Sequence, residues 1–233
     1  MPISVNEDRI RQDVCQICQL MYDRGLIGGP SGNVSARLAP DRILLTPSIP
    51  FKQFLKPEQL IVVNMEGKKV GPETEANRHL RPTSELPMHL DAYRLRPDVG
   101  GIVHAHPTYC VALTVAGLPL RTQVLTEGML FLGAVPTADY ATPTTVELSQ
   151  SVARLIPGHD AVLLPYHGAL TVGKDVWNAY AKLEVLEQVA HIECTVHQLG
   201  GERPLPLPEV KKMLELRCKM GHEMPGDHLL LDK

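Results

Sequence analysis

Apolar residues at Ile10, Val14, Ile17, Cys18 and Met21 recur at helical spacing, so the first segment has one face built for burial. Ser4-Val-Asn-Glu7 reads as a capping box ahead of that stripe and Gly25 as a stop, which predicts a helix over about 6–24. Strand-like runs follow at 33–37 and 42–46, joined by Leu38-Ala-Pro-Asp41, and a third at 59–65 ends in the turn residues Glu66 and Gly67. These three predict a small antiparallel sheet. Thr83 and Ser84 can cap a helix opened by Glu85 and running to about Leu95. Pro87 falls in its first turn, where the missing N–H costs little, and Pro97 ends the pattern. Residues 100–106 read as a buried strand, after which Pro107 begins an apolar helix that closes at Gly117. Thr142-Pro143 starts another helix to about Ile156, 160–165 is a second apolar strand, and Asp175 caps a long helix ending at Gly200 and Gly201. Pro204, Pro206 and Pro208 form a stiff connector into a last short helix.

Composition narrows the class without adding chemistry. The 233 residues suit one α/β domain, and no repeat, low-complexity tract or composition shift marks a boundary, so a single domain over 1–233 is expected. Hydrophobic residues at 44% and charged residues at 21% argue against a disordered or fibrous chain. A net charge of -3, with Lys and Arg scattered, offers no basic field for nucleic acid. The N-terminus lacks a basic and then apolar leader, and no run approaches ~18 apolar residues, so a cytoplasmic protein with no membrane partner is expected. Five Cys suit reduced thiols better than a disulfide framework. Cys15 and Cys18 form a C-x-x-C pair, but they lie on or beside the first apolar stripe and read as buried structural thiols rather than a metal or redox centre. Small molecules are the expected partners.

The candidate chemistry is in the histidines. In a strand, side chains alternate faces, so His104 and His106 project on one side with Ala105 behind them. His167 lies just beyond the second apolar strand, beside Gly168, which permits a tight bend. H-x-H by itself is equally the mark of separate core or surface histidines. If the three converge, neutral imidazoles favour zinc or a similar first-row ion, and three protein ligands leave a position open for substrate or water. His89, four residues past Glu85 on one helical face, reads as structural support rather than as a ligand.

Five short motifs in order carry a resemblance: Ser31-Gly-Asn-Val-Ser-Ala-Arg37, Thr46-Pro-Ser48, Pro82-Thr-Ser-Glu85, His104-Ala-His106 and His167-Gly168. Together they resemble the class II aldolase/adducin family, and within it the L-fuculose-phosphate aldolase branch, from about residue 7 to 200 or beyond. The resemblance implies a three-layer α/β/α fold with a mainly antiparallel central sheet, assembled as a homotetramer with sites between subunits. It implies His104, His106 and His167 as ligands of Zn2+, with Mn2+ or Co2+ as other possible ions, and Glu85 as the catalytic acid/base. Related 4-epimerases carry Asp at the Glu85 position, so the Glu implies carbon–carbon lyase chemistry. Asn33, Thr46, Ser48, Thr83 and Ser84 match substrate-phosphate positions, although Thr83 and Ser84 also suit simple helix capping.

The implied reaction is cleavage of a ketose 1-phosphate, fuculose 1-phosphate-like or a 5-deoxy or methylthio pentulose 1-phosphate, to dihydroxyacetone phosphate and an aldehyde. Alternatives on the same fold are a metal-dependent decarboxylase, a methylthioribulose-phosphate dehydratase, a sugar-phosphate epimerase and a non-catalytic adducin-like binding module. Retention of all three His disfavours the last of these. The chain departs from the branch in three places. No Gly separates Ser48 from Ile49. Pro30 replaces a phosphate-site Thr, with Ser31 as the substitute hydroxyl. Leu125 and Met220 stand where two tyrosines complete the site, which leaves Glu127, and secondarily Tyr140, as the replacement acid, in a pocket lined by Leu125 and Met220.

Overall fold

The computed structural model describes residues 6–201, 203 and 205–231. Ser4 of the expected capping box and Pro204 of the connector lie outside them. Asn6 takes the cap instead, its side-chain oxygen accepting from the Arg9 N–H at 3.3 Å, and the first helix α1 runs Glu7–Asp23. Val14, Ile17, Cys18 and Met21 of its stripe are buried.

Six strands form one sheet: β1 (Asn33–Ala39), β2 (Arg42–Leu45), β3 (Ile61–Val63), β4 (Gly101–Ala105), β5 (Ala161–Leu164) and β6 (Gly168–Gly173). Their order is β3-β2-β1-β4-β6-β5, with every neighbouring pair antiparallel. The first three strands therefore do not make a separate small sheet; β1 continues into β4, with Asn33 paired to His104. The remaining helices are α2 (Leu86–Leu95), α3 (Thr108–Ala116), α4 (Val146–Ala153), α5 (Val176–Gln198) and α6 (Leu207–Lys219).

The strands are apolar on both faces because both are covered. Val34, Leu44, Val103, Leu163 and Ala169 share a core with α1, α3 and α5. Their neighbours Ile43, Leu45, Ile102, Val162, Leu164 and Leu170 share the other core with α2 and α4. This is a three-layer α/β/α arrangement, and it places His104, in step with Ile102, on the α2 face.

Two elements differ from the sequence expectation. Strand β6 is absent from the apolar pattern because it begins and ends in glycine. Gly168 is required there by contact, since a Cβ would lie 2.1 Å from the Ala105 carbonyl oxygen. Helix α4 starts later than Thr142-Pro143 predicts. Thr144 adopts φ 70°, Thr145 is extended, and the Thr145 hydroxyl donates to the Thr142 carbonyl at 2.7 Å, so a turn precedes the helix. No described helix is long and apolar enough to cross a membrane.

A buried ion cluster ties the two helical layers together at the sheet's end. Asp160 accepts from Arg96, at the end of α2, at 2.9 Å and from Lys182, in α5, at 2.6 Å. Removing one partner of such a cluster strands the opposite charges. Asp160→Ala is expected to lower stability by about 3 kcal/mol, read as a fall in the urea midpoint; a loss within error would mean that the cluster is solvated and carries little.

Candidate active site

The site is built at one end of the sheet, where β1, β4 and the β5–β6 hairpin meet the start of α2. Strand β4 carries His104, and His106 follows just beyond it. The three-residue hairpin loop 165–167 presents His167, with Tyr166 in the left-handed region at φ 58°. Close packing of Gly168 under the Ala105 carbonyl brings that loop against the end of β4. Glu85 is the cap residue of α2, so the helix begins at Leu86, and the Glu85 N–H donates to the Thr83 hydroxyl at 3.4 Å.

These four side chains converge. His104 Nδ1–H donates to the Ala169 carbonyl at 2.9 Å, which turns its Nε2 lone pair inward. That Nε2 lies 3.1 Å from His106 Nε2 and 3.2 Å from Glu85 Oε2, while Glu85 Oε1 lies 3.1 Å from His167 Nε2. One donor atom from each of the three histidines lies within 4.8 Å of the others. An ion with bonds of about 2.0–2.1 Å in tetrahedral geometry sets its donor atoms roughly 3.3–3.4 Å apart; the His104–His106 pair, at 3.1 Å, is close to that, and the full set spans up to 4.8 Å. Glu85 Oε1 is buried and has no hydrogen-bond donor among the described residues. The donor set thus fits a divalent first-row ion.

The electrostatics agree with that geometry. Burial pushes the Glu85 carboxyl up, but the nearby His104, and after it His167, outweigh it and hold the group well below the usual carboxylate range. The His106 imidazole is lowered to about 3, first by burial and then by His104 and His167. An ionised carboxylate and a neutral His106 imidazole are donors of the kind a cation requires.

The expected phosphate positions are divided. An antiparallel bridge between Pro47 and Pro82, with the Ser48 N–H donating to the Arg81 carbonyl at 2.9 Å, lays the 46–48 and 82–85 loops side by side. Thr46 is fully buried and its hydroxyl accepts from the Val34 N–H at 3.2 Å, whereas Ser48 and Ser84 are exposed. The Ser31 hydroxyl closes its own turn, donating to the Gly28 carbonyl at 2.7 Å and accepting from the Gly28 N–H at 2.9 Å. Asn33 does not stand apart from Glu85, since its Nδ2–H donates to Glu85 Oε2 at 2.8 Å.

Glu127 is exposed and accepts from the Thr126 hydroxyl at 2.9 Å; no hydrogen bond or ion pair joins it to the histidines. Leu125 packs on the α5 side of the core and Met220 is an exposed cap of α6, so no shared pocket of these two is evident within one chain. Tyr140 is brought to the rim, edge-on to Tyr166 with ring centroids 6.1 Å apart.

Sequence reasoning passed over one feature, and for a second saw a supporting role without its partner. Lys52 is buried, and its ammonium donates to the Pro30 carbonyl at 2.6 Å and the Ile49 carbonyl at 3.3 Å, joining the loops before Ser31 and after Ser48. Burial lowers its pKa, against the opposing charge of Glu85. A lysine inside an apolar-polar loop such as Ile49-Pro-Phe-Lys52 gives no local sign of burial. The second feature is His89, which is bonded into the site through Asn33.

Comparison with known proteins agrees with the order of motifs. The family described as Class II Aldolase and Adducin N-terminal domain matches residues 12–194. A protein named L-fuculose phosphate aldolase, from Methanococcus maripaludis, is 34% identical over 186 residues, covering 79% of this chain and 96% of its own length. One named 5-methylthioribulose-1-phosphate/5-deoxyribulose-1-phosphate aldolase, from Rhodospirillum rubrum, is 31% identical over 206 residues, covering 88% and 90%. A solved structure of L-fuculose 1-phosphate aldolase matches with a TM-score of 0.80 at 30% identity, over 89% of this chain and 95% of that one. With the same fold, the ordered motifs and the converged histidines in place, the chain belongs to the class II aldolase and adducin family of lyases.

Proposed function

We propose that the protein is a zinc-dependent aldolase that cleaves a ketose 1-phosphate to dihydroxyacetone phosphate and an aldehyde. The observation that carries this reading is the convergence of His104, His106 and His167 on Glu85 beside two hydroxyl-bearing loops. A zinc or similar ion held by the three histidines would supply Lewis-acid stabilisation of negative charge on a substrate oxygen. When the bond between carbons 3 and 4 of the ketose breaks, the carbon 4 hydroxyl gives its proton to a distal base, for which Glu127 is the candidate, and becomes the aldehyde carbonyl, while the electron pair of the broken bond stays with the three-carbon fragment. Glu85, which takes up a proton from solvent, delivers it to carbon 3 of that fragment, and removes it again in the condensation direction. Asn33 holds the Glu85 carboxylate through one amide hydrogen and keeps the other for a substrate oxygen. Thr46, Ser48, Thr83, Ser84 and the turn at Ser31 supply hydroxyl and amide donors to the phosphate.

The proposal extends to a single-domain subunit in a homotetramer with sites between subunits. Exposed Tyr140 and Tyr166 beside His167, and exposed Phe51 and Phe54 beyond the 46–48 loop, support a second copy covering the site's rim. Light scattering that gives a monomer mass would remove that part. Such a copy would also be needed to bring Glu127 to the reacting groups as the distal acid.

A panel of ketose 1-phosphates, including 5-deoxy and methylthio pentuloses, tests the reaction by release of dihydroxyacetone phosphate. The reverse reaction is followed as solvent deuterium entering carbon 3 of dihydroxyacetone phosphate. Release with at least one short or apolar aldehyde product is expected. Turnover of an unphosphorylated hydroxy acid far above any sugar phosphate would replace this reading with decarboxylation. The same panel run on Glu127→Gln decides the distal acid, because unchanged kcat/KM across all aldehydes clears Glu127 of that role.

A further inference from the structure

Behind Glu85 lies a chain of buried polar groups of which the proposed chemistry uses only the first, Asn33. The Tyr93 hydroxyl is 3.0 Å from Ser35 Oγ, Ser35 Oγ is 2.7 Å from His89 Nδ1, His89 Nε2 is 2.5 Å from Asn33 Oδ1, and Asn33 Nδ2 is 2.8 Å from Glu85 Oε2. Ser35 and His89 are fully buried and Asn33 and Tyr93 nearly so, so water cannot replace any link at low cost. The chain spans two elements, β1 and α2 with its cap residue Glu85. Asn33 and Ser35 alternate along β1 on the α2 face, and His89 and Tyr93 lie one turn apart on α2.

Donors and acceptors allow two polarities. In one, the Tyr93 hydroxyl donates to Ser35, the Ser35 hydroxyl donates to His89 Nδ1, His89 Nε2–H donates to Asn33 Oδ1, and the Asn33 amide donates to Glu85. In the other, His89 carries its proton on Nδ1 and donates to Ser35. Its bare Nε2 then draws the Asn33 NH2, which turns the Asn33 carbonyl oxygen onto the Glu85 carboxylate. Two acceptors would then face each other in a buried site, which is costly, the more so because one is charged. Burial keeps His89 neutral, with its pKa lowered to about 3, so it carries one N–H and must choose.

We infer that His89, held as its Nε2–H tautomer by Ser35 and Tyr93, is a positioning residue that fixes the Asn33 amide with its NH2 toward Glu85 and so holds that carboxylate in its working orientation. The inference rests on the role proposed for Glu85. Its physical part, the tautomer, is read without any substrate.

Two measurements test it. Two-bond 1H–15N correlation spectra of the full-length protein, with His89 assigned by comparison with His89→Gln, should show the proton on Nε2 and a bare Nδ1. A proton on Nδ1 overturns the inference whatever the reaction proves to be. The second measurement uses a pair of near-isosteric variants. The amide nitrogen of His89→Gln reaches the place of Nε2 and can still donate to Asn33, whereas His89→Asn reaches only the place of Nδ1. With metal content and melting temperature measured for both, His89→Asn should lower kcat for deuterium exchange or cleavage by about 10–100-fold, the usual effect of losing a partner that orients a reacting group. KM should change little, and His89→Gln should recover most of the loss. Equal losses in the two variants, or a fully active His89→Asn, would make His89 a packing residue only. Failure of the aldolase reading would appear differently, as no exchange in any variant, with the tautomer result unaffected.

Discussion

Purified protein is expected to carry close to one zinc or similar divalent ion per chain, and the double substitution His104→Ala, His106→Ala to abolish it. The size of the effect follows from the geometry. His104 is the most constrained of the three histidines, being fully buried and oriented by the Ala169 carbonyl, and its Nε2 lies within 3.2 Å of both His106 and Glu85. Removing two of three imidazoles leaves His167 and a carboxylate, too few donors to hold a first-row ion against water. Elemental analysis after gel filtration is the measurement, with circular dichroism to confirm that both forms are folded. Full metal occupancy in the double variant would place the ion elsewhere and remove the ligand assignment. Activity should fall with the metal and return on adding zinc to the wild-type apoprotein, but not to the variant.

What could be read from the sequence was local. The shared face of His104 and His106 follows from the two-residue period of a strand, and the helix opened near Glu85 follows from Pro87 in its first turn. The long helix capped by Asp175 was equally plain, and the Asp175 side chain does accept from the Asn178 N–H. The meeting of His167 with the other two was implied only by the family resemblance, because it depends on β6 slipping between β4 and β5. That strand begins and ends in glycines whose purpose is close approach to other backbone, so its sequence carries little strand signal.

Asn33 is the instructive residue. Nothing along the chain tells that it sits opposite His104, or that its amide lies between His89 and Glu85. Matched motifs gave it to the phosphate, whereas its surroundings tie it first to Glu85. His89 shows the same limit from the other side. Its place four residues past Glu85 suggested support for the helix, and only the register of β1 against α2 reveals what it supports. Ser31 and Thr46 were legible as hydroxyls in the right loops, but their hydrogen bonds within the backbone were not.

Glu85→Gln is expected to lower turnover by at least ~10²-fold while fold and affinity for the phosphate group are kept, which is the usual scale for loss of a general acid/base. The substitution is conservative in shape. A glutamine oxygen can still accept from Asn33 Nδ2, so the buried chain behind it remains satisfied, and the hydroxyls of Thr46, Ser48, Thr83 and Ser84 are untouched. What is lost is the negative charge that lies beside His104 and His167 and the ability to carry a proton to carbon. Because Glu85 Oε1 is directed at the histidine cluster, part of any loss could come from weaker metal binding instead. Metal content must therefore be measured, and turnover compared at saturating zinc. Competitive inhibition by inorganic phosphate provides the affinity control and should stay near its wild-type strength. Deuterium exchange at carbon 3 of dihydroxyacetone phosphate isolates the proton step, and it should fall as far as the overall reaction does. Near-wild-type exchange in a metal-replete Glu85→Gln protein would mean that another group moves the proton, and Glu85 would then be only a neighbour of the metal.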